Sequence, residues 1–291
     1  MKKIIKKFFK RKSEINQEKY TNKILPRIKS FEKILETKDD ISFLHYGHLG
    51  DIINSLPIIK DISKEKNCSL YIQKNKPIPD DVMSKDHSFG SVYLTERAIL
   101  KLLPLLKNQS YLKNVEIYSN QEIDIDLNFF REIPMNFNID SVRWYFHLTG
   151  HFPELSNNYL EVQPHTNYKN YIVIMRSLRR QNKLIDYSFL SNYKNLIFLG
   201  LENEYEQLKE KINNLEYYDS EDFLELAMII KNSKVFIGNL SFGYALAEAL
   251  KVPRLLESGP NFPLVYPNGE KAYDFYFQNH FENLFKNLYF K

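Results

Sequence analysis

Residues 45–57, "HYGHLGDIINSLP", put two histidines, two glycines and a carboxylate directly behind a short apolar run. A glycine-rich turn between a strand and a helix commonly cradles phosphate. Asp51 opposes that reading, because a carboxylate repels phosphate. Two later stretches favour an anion. "MRSLRRQNK", residues 175–183, places Arg176, Arg179, Arg180 and Lys183 after an apolar run, where they could supply charge-assisted bonds to a diphosphate. "GNLSFGYALAEAL", residues 238–250, opens a small-residue helix whose first N–H groups attract negative charge. There Gly238 and Gly243 allow close approach to the backbone, and Asn239 and Ser241 can cap or donate. Each feature alone reads more readily as a tight turn or a solvated face than as a site. Their recurrence at successive strand ends of one domain favours a site.

The other candidates carry less. His45 and His48 flank the first turn and could hold a substrate or serve as a base; packing against a neighbouring loop is the plainer role. His45, His48 and His87 lack a recognised metal spacing. The alternating acids of "DIDLN", residues 124–128, do not by themselves make a hydrolase pair. Trp144 and Tyr145 read as core.

These residues need strand ends to stand on. "ISFLHY" (41–46) reads as a buried strand, and residues 51–64 as an amphipathic helix bearing Ile52, Ile53, Leu56, Ile59 and Ile62. Pro57 fits if Ser55 caps that helix and kinks it if Asp51 does. "CSLYIQK", "NVEIYS" and "IDIDLN" read as further strands, and "SVRWYFHLTG" as a helix closed by Gly150. From residue 168 onward, five apolar runs alternate with four helical segments, from "YIVIMRS" to "PRLLES", the pattern of an open parallel α/β sheet. Ser220 is the expected N-cap of "SEDFLELAMIIKNS", and residues 273–291 read as an aromatic-rich terminal helix.

The expected organisation is a basic arm and helix (1–38), a first α/β domain (39–160), a polar linker (161–169), a second α/β domain (170–262) and a helical tail (263–291). Two such halves facing each other would enclose one cleft, since open α/β sheets bind ligands at strand carboxyl ends.

The chain has 291 residues, 43% hydrophobic and 26% charged, which is a globular composition. Its net charge of +4 is concentrated in residues 1–12, which hold seven basic side chains and no acid. The remaining residues carry 33 basic against 36 acidic side chains, so a general nucleic-acid binder is not expected. Ile4, Ile5, Phe8 and Phe9 recur at helical spacing among the lysines. The arm therefore suits peripheral contact with an anionic membrane surface. A single cysteine, Cys68, excludes an internal disulfide and a multi-cysteine metal site, and a reducing, cytoplasmic setting is expected. No window approaches the ~18 apolar residues of a membrane span.

"GHLGDIINSLPIIKDIS" resembles the N-terminal signature of glycosyltransferase family 9, the ADP-heptose:lipopolysaccharide heptosyltransferase type: Gly-Asp after a strand, then an apolar helix and a proline. "FLELAMIIKNSKVFIGNLSFGYALAEALKVP" is similar to that family's C-terminal signature, without a gap from Gly238 to Pro253. The resemblance implies a GT-B fold of two Rossmann-like domains, acceptor on the first and nucleotide-sugar donor mostly on the second. It implies transfer to a glycan or glycolipid without cofactor or divalent metal. By position, Asp51 falls on the candidate general base, and His45, Gly47, His48 and Gly50 on the acceptor-side loop. Arg176, Arg179 and Lys183, with Gly238, Asn239, Ser241, Phe242 and Gly243, fall on the donor diphosphate site. Glu202 or Glu204 lies where a ribose contact is expected, and Glu248 is a further candidate sugar contact. The sequence departs from the family at Leu240, where Asp is usual, at Phe242-Gly243 for Gly-Pro, and at Ala245 for His. These departures point away from heptose and lipopolysaccharide. A GT-B sugar-nucleotide epimerase and a non-catalytic scaffold are the competing readings.

Overall fold

The computed structural model describes residues 17–79, 89–134, 139–259 and 264–290. The basic arm at residues 1–12 and His87 lie outside these. Helix α1 (Leu25–Thr37) leads into β1 (Asp40–His45), α2 (Leu49–Ile62), β2 (Asn67–Ile72), α3 (Glu96–Lys107), β3 (Asn114–Ile117), the short β4 (Ile125–Asp126) and α4 (Val142–Thr149). The sheet order is β3-β2-β1-β4, with every pairing parallel. Alternation along β1 turns Ile41, Phe43 and His45 to the interior. Gly150 closes α4 in the left-handed region at φ 73°, as its sequence predicts.

Helix α2 departs from both expected starts. It begins at Leu49, with His48 as N-cap and Asp51 in the third position, and Pro57 sits inside it. The Asp51 carboxylate accepts the His48 N–H, which starts the helix earlier. Burial of Ile52, Ile53, Leu56 and Ile59 then carries the helix past the donor that Pro57 lacks.

The second half runs β5 (Ile172–Met175), β6 (Leu196–Leu199), α5 (Glu202–Lys209), β7 (Leu215–Tyr218), α6 (Phe223–Lys231), β8 (Val235–Asn239), α7 (Phe242–Leu250), β9 (Arg254–Glu257), β10 (Ala272–Phe275) and α8 (Gln278–Tyr289). Its sheet order is β10-β9-β8-β5-β6-β7, again all parallel. Strands β5, β6, β8 and β9 are buried along their whole length; β5 and β6 read as unbroken apolar runs, while β9 carries Arg254 and Glu257 at its ends, paired with Glu248 and Arg176. The short helix expected over residues 186–193 is present as a 3-10 helix, Ser188–Asn192. Two expectations are corrected here. Asp222, not Ser220, caps α6, accepting from Leu224 N and Glu225 N. The expected terminal helix opens instead with β10, a parallel edge strand, and α8 then buries Phe281, Phe285 and Leu288 against the second sheet.

The two halves share one apolar core. Helix α2 packs on α7, and α3 on α6. A Cβ on Gly50 would stand 3.9 Å from Ala245 Cβ, so small residues let α2 and α7 approach closely. Residues 161–169 contain neither helix nor strand and bond to both halves, through Glu161 N to Gln109 (2.8 Å) and His165 N to Met228 O (3.0 Å). Among the described residues, no helix is long and apolar enough to cross a membrane.

Candidate active site

Each sheet reverses strand order once, and the reversals locate the site. In the first, β2 and β4 flank β1; in the second, β6 and β8 flank β5. Adjacent connections leave in opposite directions at such a point and open a crevice at the strand carboxyl ends. Chain leaving β1 supplies His48, Gly50 and Asp51, and chain leaving β4 supplies Arg131. Chain leaving β5 supplies Ser177, Arg179 and Arg180, and chain leaving β8 supplies Ser241, Phe242 and Gly243. All of them line one cleft of about 490 Å³ between the halves.

On the first wall, Asp51 Oδ2 accepts from His48 N (3.1 Å) and from Arg131 Nη2 (3.3 Å). The Arg131 guanidinium lies over the rings of Tyr93 (4.8 Å) and Phe130 (4.7 Å), which fix its plane. His48 Nδ1 donates to Tyr93 O at 2.9 Å. Burial lowers the His48 pKa, partly offset by the Asp51 charge, so the ring is neutral near pH 7. Arg179, on the opposite wall, is near enough to add to that lowering.

His45 does not reach the cleft. It is fully buried: Gly47 N donates to its Nδ1 (2.9 Å), its Nε2 donates to the Tyr145 hydroxyl (2.9 Å), and Tyr145 donates to Asp51 O (2.9 Å). Burial pushes its pKa down to about 3, consistent with the neutral ring this chain requires. His45 therefore braces the loop from beneath and does not line the cleft. Gly47 is tied to the same brace, since a Cβ there would lie 2.7 Å from the His45 ring and 2.8 Å from Asp51 Oδ2.

On the second wall the expected diphosphate set divides. Arg176 is buried and bidentate to Glu257, with Nε to Oε2 at 2.7 Å and Nη2 to Oε1 at 2.9 Å. It also stacks on Tyr187 at 4.5 Å and lies off the cleft. Lys183 and Glu202 are exposed and off the cleft. Asn239 spends its amide on the chain after β5, accepting from Ser177 N (2.9 Å) and donating to Ser177 O (2.7 Å). Gly238 is a packing position, because a Cβ there would meet Met175 O at 2.7 Å. Glu248 lies off the cleft: on the buried face of α7, it accepts from Arg254 Nε (2.6 Å), Asn268 N (3.2 Å) and Lys251.

Arg179, Arg180, Ser241, Phe242 and Gly243 do line the cleft. Gly243 fits where a Cβ would collide with Met175 Sδ at 2.2 Å. Ser241 stands at the N-cap of α7 without capping it, and its Oγ has no partner among the described residues. Glu204 lines the cleft as well, but its Oε2 accepts from Leu201 N (3.3 Å), and it also bonds Leu178 N and the Ser177 side chain, tying two loops together. Burial raises its pKa.

Sequence reasoning missed Arg131, Asn54 and Tyr93 and read Trp144 as core only, although all four line the cleft. The signal for Arg131 was its place one turn after a strand, which counts only once β4 is known to lie beside β1. Asn54 follows Asp51 by three residues on one helix, and that spacing was visible.

The sequence matches no family model and no curated protein. Solved structures with similar architecture include the glycosyl transferase family 9 protein from Veillonella parvula DSM 2008, at 11% identity and TM-score 0.55, covering 86% of this chain and 89% of that one. E. coli heptosyltransferase WaaC with ADP-2-deoxy-2-fluoro heptose aligns at 13% identity and TM-score 0.51, covering 85% and 99%. E. coli ADP-heptose lps heptosyltransferase II aligns at 12% identity and TM-score 0.50, covering 86% and 98%. At these identities the likeness speaks for architecture, and the chain has the GT-B fold of these glycosyltransferases.

Proposed function

We propose that this chain is an inverting glycosyltransferase that moves a sugar from a nucleotide-sugar donor to a hydroxyl of a glycan or glycolipid. The observation that carries the reading is the meeting of Asp51, Arg179, Arg180 and the start of α7 at the facing switch points of two parallel sheets. Asp51 takes the proton from the acceptor hydroxyl as its oxygen bonds to the anomeric carbon. The bond from that carbon to the diphosphate breaks on the opposite side, which inverts the centre. The electron pair leaves with the nucleoside diphosphate, where Arg179, Arg180 and the first N–H groups of α7 stabilise the charge. The charge balance needs no metal ion or cofactor. Arg131 and the His48 N–H hold the Asp51 carboxylate in place. The acid that opposes phosphate at Gly47–Asp51 thus faces the acceptor, and the phosphates sit on the other wall. A cytoplasmic setting, argued from the single cysteine, and contact of residues 1–12 with an anionic membrane surface, argued from the composition of that segment, belong to the same reading.

Turnover is measured as nucleoside diphosphate release from UDP-, ADP- and GDP-hexoses in the presence of a glycolipid extract. Asp51→Asn is expected to lose roughly 10²–10⁴-fold in kcat while binding the nucleoside diphosphate about as well as wild type. Turnover within a few-fold of wild type removes Asp51 as the base.

A further inference from the structure

One turn beyond Asp51 the cleft carries a polar pair with an unused valence. Asn54 follows Asp51 by three positions on α2, so the two side chains share a helix face with Cβ atoms about 5–6 Å apart. Asn54 is 3% exposed yet borders the cleft. Its Nδ2 donates to Ser141 Oγ at 2.7 Å, and its Oδ1 has no hydrogen-bond partner among the described residues. A buried amide atom left without a partner is costly, and such atoms mark places where something else binds. Turning the amide over exchanges its ends with the same outcome: one end meets Ser141 and the other is left over. A hydroxyl both donates and accepts, so it satisfies either arrangement.

The surroundings narrow the ligand. Trp144, Ala245, Leu264 and Val265 border the cleft with Asn54, and Leu240 and Phe242 line it from the second half. These are apolar surfaces that suit the C–H face of a pyranose and offer nothing to a phosphate. With the diphosphate held by Arg179, Arg180 and α7, the sugar attached to it has to span the interval toward Asp51, where side chains of both halves meet. Leu240 and Phe242 offer the sugar no polar side-chain atom; Ser241 stands between them at the start of α7, on the diphosphate side, and Asn54 is the buried amide that borders the cleft one turn from Asp51.

We propose that Asn54, held by Ser141, is a specificity-determining residue that hydrogen-bonds one ring hydroxyl of the transferred sugar. The inference rests on the nucleotide-sugar reading above. Calorimetric titration tests it with three matched pairs: UDP and UDP-glucose, ADP and ADP-glucose, GDP and GDP-mannose. In wild type at least one nucleotide sugar is expected to bind tighter than its free diphosphate. Asn54→Leu is expected to weaken that nucleotide sugar about tenfold and to leave the diphosphate within about twofold, which also shows that the variant is folded. Ser141→Ala, which frees the amide but keeps it, is expected to cost about threefold on the same ligand and serves if the leucine variant does not fold. Equal binding of sugar and diphosphate in wild type overturns the inference alone. So does a sugar-dependent gain that survives in the substituted protein. Binding of none of the six ligands removes the nucleotide-sugar reading, and the inference with it.

Discussion

Arg176 and Arg179 stand three positions apart, and their surroundings give them opposite work. Arg176 is enclosed by Glu257, Tyr187 and the carbonyl of Asn182, which leaves its guanidinium committed to the fold. Arg179 and Arg180 border the cleft opposite the acid of the first half. Arg176→Ala strands a buried carboxylate and is expected to cost about 3–5 kcal/mol in urea unfolding. Arg179→Ala and Arg180→Ala are expected to leave stability within about 1 kcal/mol and to weaken nucleoside diphosphate binding about tenfold each, read by calorimetry. A folded Arg176→Ala protein that no longer binds the diphosphate would reverse the assignment. Residue type therefore announced an anion site, while the identity of the working arginines depended on β9, which delivers Glu257 eighty-one positions later.

The elements show how local signals compete. Both Ser220 and Asp222 are good N-caps by type, and read from the sequence the cap is Ser220, the first of the two. Asp222 takes the role because its carboxylate reaches two N–H groups, Leu224 (2.8 Å) and Glu225 (2.9 Å), while Lys101 of α3 engages the Ser220 carbonyl. Asp222→Ala is expected to lower stability by about 1 kcal/mol and Ser220→Ala to be nearly neutral, read by urea midpoints. The opposite ranking would restore the earlier start. In α2, propensity at Pro57 argued for a later start, and burial by both halves overrode it. At the C-terminus, Ala272–Phe275 hides its strand nature because an edge strand of four residues shows little periodicity, and only pairing with β9 defines it.

At the scale of the whole molecule, one apolar core runs through both halves, so they are expected to unfold in a single calorimetric transition. That transition should also move with pH. His45 is held neutral with its pKa near 3, well below its ordinary value of 6.5, so the unfolded chain takes up the proton first. The His45 contribution is complete above about pH 6.5 and is lost as pH falls toward 3, by at most about 1.4 kcal/mol per pH unit. Asp140 acts in the other direction, because burial raises its pKa to about 6 and favours its protonated form when folded. The readable quantity is thus the difference between wild type and His45→Gln: urea midpoints at pH 7 and pH 5 should diverge less in the variant. An unchanged slope removes the buried-neutral assignment.

Much was legible in the sequence because it is set by near neighbours: apolar runs that only a covered parallel sheet can bury, the Gly150 cap, and three chemically loaded strand ends, with Asp51 among them. The inward turn of His45 was also there, in the alternation of Ile41, Phe43 and His45. Which strand lies beside which is settled by non-local pairing, and with it which ends face one cleft. Tertiary structure alone brought Arg131 to Asp51, took Arg176 away to Glu257, and set Asn54 against Ser141, because each of these pairs joins side chains some eighty or more positions apart.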